Sequence, residues 1–107
     1  MAIYNTEILA TNTTLVSGSA VERAVTTIIV CNTGVTDRTL TIFALGKDGT
    51  GTQTTAGAAS MIVNALIVPA GDTVSFDQEK VVLGSTDTLV AVGSGTGLTA
   101  TVSVLVV

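Results

Sequence analysis

The sequence predicts an all-β fold: a single antiparallel β-sandwich, jelly-roll-like, of about seven to nine short strands. Three observations lead there. Apolar residues recur at every second position in nearly every segment, which is the period of a half-buried strand. Clusters of Gly, Ser, Asn, Asp and the single Pro punctuate those segments at short intervals. No stretch of useful length carries a 3.6-residue apolar period, so no substantial helix is expected.

The elements follow in order. Thr6 to Val16 is Thr-rich and extended, with a break near Asn12, and residues 1–20 form either an N-terminal arm or a first strand. Ser17-Gly18-Ser19 turns the chain. Val21 to Cys31 is a long strand whose Val25, Thr27, Ile29 and Cys31 are expected on one face, and Asn32-Thr33-Gly34 ends it. Arg38 to Leu45 follows, with Leu40, Ile42 and Ala44 on one face and Thr39, Thr41, Phe43 and Leu45 on the other.

Residues 46–60 differ. They hold four glycines and no strand pattern, and 15 residues is long for a connection in a compact β domain. Two readings stand: a loose tip, or a loop ordered against a neighbour. A short Ala-rich helical turn around Ala56 to Ala59 is weakly signalled.

Met61 to Val68 is then a strand. Pro69-Ala70-Gly71-Asp72 is a turn, because Pro fixes φ near −65° and Gly supplies φ > 0. Thr73 to Gln78 places Val74 and Phe76 inward, and Lys80 to Leu83 is a short strand or edge. Gly84-Ser85-Thr86-Asp87 leads into Thr88 to Val92, and Gly93 to Gly97 is a tight hairpin. In the last strand Leu98, Ala100, Val102, Val104 and Val106 face one way, and Thr99, Thr101 and Ser103 the other. The final residues Val106-Val107 carry no solubilising tail, so this end is expected to be covered by its own subunit or the next.

Composition narrows function. A chain of 107 residues makes one domain able to bury a core. Charged residues are 11% of it, about half the usual share of ~25%, and mean hydropathy is +0.69. The longest apolar segment, Met61 to Ala70, is broken by Asn64 and Pro69 and is too short to span a bilayer. The N-terminal residues lack the basic and continuous apolar regions of a signal peptide. High hydropathy without a membrane segment points to part of the outside being buried in an oligomer or lattice. Only four cations, Arg23, Arg38, Lys47 and Lys80, are present, and they are scattered, which argues against nucleic acid as a partner.

No catalytic, cofactor-binding or metal-ligating constellation is expected. The chain has no His, the usual base for a Ser or Cys nucleophile. Cys31 is its one cysteine, read as a small buried hydrophobe. One Cys without His gives no zinc spacing. Asp77 and Glu79 share a strand face and could bind a hard cation, but solvated charges guarding an edge are the plainer reading. Phe43 and Phe76 read as core anchors, and with no Trp and one Tyr there is no stacking platform for sugars or single strands. The sequon Asn12-Thr13-Thr14 is taken as chance. The residues expected at an interface are Tyr4, Gly49, Thr50, Gly51, Thr52, Val106 and Val107.

One resemblance adds to this. The run Val68-Pro69-Ala70-Gly71-Asp72-Thr73-Val74-Ser75-Phe76-Asp77, then Glu79-Lys80-Val81-Val82-Leu83, Ser85 to Ala91 and Leu98-Thr99-Ala100-Thr101-Val102-Ser103-Val104 resembles small virion structural proteins of tailed bacteriophages, especially cyanophage-like ones. Those carry a PAG-[DE]-T turn, an [EK]-[KL]-V-L strand, GDTL-x-A and a closing L-x-A-T-V-S strand. Thr27 to Asn32 and Thr39 to Phe43 look like paired strands of the same family. The likeness covers Ala24 to Val107, and Gly84-Ser85-Thr86-Asp87 departs from the simpler Gly-Asp turn. It implies a β-sandwich particle component without cofactor or catalytic residues, made in the host cytoplasm and located in the virion. Its partners would be the major capsid protein or tail and neck proteins, and it would be a homo-oligomer, with a trimer as one candidate. Decoration or cementing of the shell is the first reading. Neck, tail or fibre attachment, or a free carbohydrate-binding or adhesin module, are the alternatives.

Overall fold

The structure is a computed structural model described over residues 2–17, 22–76 and 81–106. Nine strands follow in order: β1 (Ala2–Ile8), β2 (Thr13–Ser17), β3 (Arg23–Asn32), β4 (Arg38–Leu45), β5 (Met61–Val68), β6 (Thr73–Phe76), β7 (Val81–Leu83), β8 (Thr88–Gly93) and β9 (Leu98–Val106). One 3-10 turn, Ala58–Ser60, precedes β5.

The strands form two antiparallel sheets. The first runs β1-β9-β3-β6, with β7 continuing the β6 edge alongside β3, and the second runs β2-β8-β4-β5. The chain crosses repeatedly between sheets, and its last strand returns between the first and third. That order is the double-sheet Greek-key winding of a jelly roll. The winding makes β9 a central strand, paired with β1 from Ala2–Val104 to Ile8–Leu98 and with β3 from Arg23–Val106 to Asn32–Leu98. The N-terminal strand is thus an edge strand of the first sheet.

The core lies where the inner faces meet. Ile8, Val30, Leu98, Ala100 and Val102 project from the first sheet, and Leu15, Leu40, Ile42, Leu89 and Ala91 from the second, all buried. The alternation expected for β4 and β9 holds through Leu40 and Ile42 and through Leu98 to Val104. Val106 departs from it: at the strand end it is exposed.

β3 corrects a second expectation. A bulge lies between Val25 and Thr27 in its pairing with β9, and one extra residue flips every side chain beyond it. Val25 therefore points inward while Ile28 and Val30 take the core positions, and Thr27, Ile29 and Cys31 turn outward. Cys31 is half-buried on the outer surface rather than a core residue. Phe43 departs differently. It is 8% exposed but sits on the outer face of the second sheet, opposite Met61 and beside Val90, outside the main core cluster.

One end of the sandwich is tied together by Asn32, which is fully buried. Its Nδ2 donates to Thr36 O at 2.8 Å and Val68 O at 2.9 Å, and its Oδ1 accepts from Gly34 N at 3.0 Å. Its backbone exchanges bonds with the Pro69–Asp72 turn, Asn32 N donating to Asp72 O and Gly71 N to Asn32 O. Thr33 N and Oγ1 both donate to Gly97 O. Gly97 has φ +110°, where a side chain is strained, and a Cβ there would lie 3.4 Å from Asn32 Oδ1. Gly97→Ala is expected to cost about 1–3 kcal/mol, read as a lowered midpoint in urea unfolding with an unchanged slope.

Candidate functional site: the exposed surfaces

No group of three or more metal-ligating side chains occurs among the described residues. No helix among them is long and apolar enough to cross a membrane. A crevice of about 100 Å³ lies between Ala44, Leu45, Gly46, Val81, Val82, Leu83 and Asp87, well below the 300–1,000 Å³ of small-molecule sites. Asp77 and Glu79, the paired carboxylates of the sequence, lie outside the described residues, as does Val107.

The segment 46–60 is ordered by its own subunit. Lys47 and Gln53 form a β-bridge. Inside it, Asp48 Oδ1 accepts from Thr50 N at 2.8 Å, Thr50 Oγ1 at 2.6 Å and Thr52 N at 3.0 Å. Gly51, at φ +85°, lets the chain reverse and donates its N–H to Asp48 O. Gln53 Nε2 ties the hairpin to Leu45 O, and Thr54 N and Oγ1 both donate to Gly46 O. At its base Lys47 donates to Thr86 Oγ1 and lies 3.9 Å from Asp87. The buried Ser60 hydroxyl then gathers Thr55 O and Gly57 N around the 3-10 turn, which packs against β4. The expected helical turn near Ala56 to Ala59 is this 3-10 turn, shifted to Ala58–Ser60.

Gly49, Thr50, Gly51 and Thr52 form the exposed tip of that hairpin. Tyr4 is placed differently: it packs against the core, accepts a hydrogen bond from Arg23 Nη1 at 3.0 Å, and has the Arg23 guanidinium 5.9 Å from its ring centre. Val106 is exposed near Arg23, its partner on β3. The structure thus separates the residues expected at an interface. The hairpin tip extends from the second sheet, and Tyr4 and Val106 belong to the first.

The hydrogen bond from the Thr50 side chain, with the amides of Thr52, Thr50 and Gly51, holds the Asp48 carboxyl below its ordinary value. A carboxyl depressed in the folded state stabilises its surroundings above the unfolded-state pKa, and that contribution fades as pH falls through the lowered folded value. The Thr50 and Thr52 amides are therefore expected to lose exchange protection only in acid, below the ordinary carboxylate range. Asp48→Asn should abolish that acid step; an unchanged step would remove Asp48 as its cause.

The outer faces of the two sheets are unlike. On the second sheet the 3-10 turn lies against β4 and Phe43 and Val90 are buried, but the edge strand β5 leaves Ile62, Leu66 and Ile67 exposed. The first sheet presents Ile3, Ile29, Val82 and Leu105, at 65%, 39%, 55% and 40% exposure. Around them stand Thr, Ser, Ala, Asn and Cys side chains, and Glu7 is the one charged residue directed outward there among the described residues. Sequence reasoning placed Ile29 and Cys31 on the wrong face of β3, because the bulge that turns them outward arises in the pairing with β9.

Solved structures share this fold. No family model and no curated protein matches the sequence. A chain of the infectious bursal disease virus Gx strain structure matches 94% of this chain at TM-score 0.50 and 15% identity. A chain of the T13 viral particle of the same virus matches 92% at TM-score 0.51 and 14% identity. A chain from the disulfide-linked pili of Bacillus endospore appendages matches 99% of this chain and 84% of its own at TM-score 0.49 and 18% identity. The chain spans only 30% and 28% of the two viral chains it matches.

Proposed function

We propose that this chain is a non-enzymatic structural subunit of a bacteriophage virion, most simply a decoration or cement protein that binds the outer shell as an oligomer. The observation that carries the reading is the jelly-roll winding with a face of the first sheet on which, among the described residues, Glu7 is the one charge. A freely dissolved subunit gains from charged, patch-free surfaces, whereas a subunit built into a particle gains from an apolar, uncharged contact face. Two further observations support it. The jelly roll aligns over more than nine-tenths of its length with part of chains from a viral particle, and the sequence resembles small virion proteins of tailed phages. The chemistry of the chain supports a non-enzymatic role: it has no His, and Cys31 lies on an open sheet face rather than in a cleft.

Mixing the purified protein with particles of its phage that lack it, and pelleting the particles, tests the reading. The protein is expected to sediment with the particles and saturate at a fixed stoichiometry. A protein left wholly in the supernatant would count against it. Neck or tail placement is separated from shell placement by whether isolated shells alone take it up. A glycan-binding module would instead bind immobilised sugars, and the lack of Trp and the packing of Tyr4 against the core predict a blank there.

A further inference from the structure

We propose that two bulges in β5 guard the one long, uncharged edge of the fold and stop further copies of the chain from adding to it strand by strand. An edge strand leaves a row of N–H and C=O groups unpaired. Such a row templates pairing with another chain unless charge, brevity, Pro or a bulge spoils it. Each sheet has two edges. In the first sheet β1 carries Glu7, and the opposite edge is divided between β6 and β7, of four and three residues. In the second sheet β2 has five residues. β5 is different. It runs for eight residues, Met61-Ile62-Val63-Asn64-Ala65-Leu66-Ile67-Val68, without a charged side chain. Its Ile62, Leu66 and Ile67 are exposed. An apolar, uncharged, proline-free segment at an open edge has the composition that stacks into cross-β assemblies.

What β5 has in place of charge is an irregular backbone. Opposite the six residues Arg38–Phe43 of β4 it sets the eight residues Met61–Val68. The two additional residues fall at separate places. Asn64 and Ala65 together oppose Thr41, between the Leu40–Leu66 and Ile42–Val63 pairs. Ile62 is extra between the Ile42–Val63 and Phe43–Met61 pairs. Ala65 has φ +51°, and it is the one non-glycine residue with positive φ among the described residues. That conformation is costly for alanine and persists only where the surroundings hold it. Here the Ala65 N–H donates to Thr41 Oγ1 at 3.1 Å, which pins the bulge to β4.

The pairing with β4 does not itself require either bulge. Without Ala65, Asn64 alone would oppose Thr41, and the Leu40–Leu66 and Ile42–Val63 pairs would stand unchanged. Without Ile62, Val63 and Met61 would still meet Ile42 and Phe43. The bulges change the free side instead. An extended strand needs negative φ throughout, so the backbone at Ala65 bends and twists the outer row of N–H and C=O groups out of line. A straight incoming strand cannot keep register along it. Pro69, directly after β5, has no N–H to offer and closes that end of the edge. A subunit that assembles through another surface needs this edge silent, and so does one that stays free. The guard therefore goes beyond the structural-subunit reading and stands or falls separately from it.

Deletion of Ala65 in the full chain tests the proposal, at a concentration where the wild type stays in solution. The variant is expected to fold, with a β-type circular dichroism spectrum and a cooperative thermal transition. It should then leave the supernatant as thioflavin-positive aggregate. Adding Ile67→Lys to the deletion puts a cation on the straightened edge and should return the protein to the supernatant without raising its melting temperature. Ala65→Gly keeps the bulge and relieves its strain, so it should melt higher than the wild type and stay in solution. Should the Ala65 deletion not fold, deletion of Ile62 takes its place: it closes the other bulge, removes an exposed apolar side chain and should still aggregate. A folded deletion variant that stays in solution like the wild type overturns the proposal. So does aggregation that Ile67→Lys leaves unchanged, which would trace it to another surface or to lost stability. Failure of both deletions to fold overturns it too, since the bulges would then serve the fold rather than its edge.

Discussion

Truncation after Ser103 is expected to leave no stably folded protein. The truncation removes Val104, which is buried and pairs with both Ala2 and Val25. It also removes the ladder partners of Ala24 and Arg23. Because β9 lies between β1 and β3, its end holds two neighbours at once. Loss of the Val104 side chain alone costs about 1.5–3 kcal/mol of burial. The lost ladder bonds to β1 and β3 add to that. A domain of this size has about 5–15 kcal/mol in total, so the truncated chain should show no cooperative thermal transition and should collect in the insoluble fraction. A soluble product melting within a few degrees of the full chain would show that the strand end is dispensable. The outcome also separates folding from assembly: Leu105→Ser and Val106→Ser, at exposed positions, should fold normally.

Asn32→Ala is expected to cost about 3 kcal/mol, the largest effect of any single side chain outside the apolar core. The substitution leaves the buried Val68 carbonyl, the part-buried Thr36 carbonyl and the part-buried Gly34 amide without their partner. Each buried group stripped of its bond costs about 1–3 kcal/mol, partly recovered where water can enter. The melting temperature should fall by roughly 10–20 °C. Asn32→Asp should be worse than Asn32→Ala, since a carboxylate cannot donate to two carbonyls and adds an unpaired buried charge. A melting temperature unchanged in both variants would mean that the loops at this end do not depend on Asn32.

How much of this was legible in the sequence depends on how local the cause is. β4, β5 and the Pro69–Asp72 turn were readable because period-two alternation and turn chemistry lie within a few residues. β3 was readable as a strand but not in its facing. Val25 to Cys31 is almost continuously apolar or Thr, so either alternation fits, and the bulge at Thr26 that decides between them is set by pairing with β9. That one residue moves Ile29 and Cys31 to the outer surface. Asn32 read as a strand terminator, because its partners come from residues 36 and 68. Burial of Phe43 was foreseen, but its location on the outer side of the second sheet depends on Met61 and the segment before it. The segment 46–60 offered a usable local signal in Asp48-Gly49-Thr50-Gly51-Thr52, where an Asp followed by Thr and Gly favours a side-chain-capped turn. The hairpin it forms is ordered without a partner, so its exposed tip needs none to hold its shape.

The central claim, that the chain is a structural subunit of a virus particle, is tested most directly by its copy number in purified particles, measured by quantitative mass spectrometry against the major capsid protein. A shell decoration subunit predicts hundreds of copies per particle. Absence of the chain from gradient-purified particles would contradict the account.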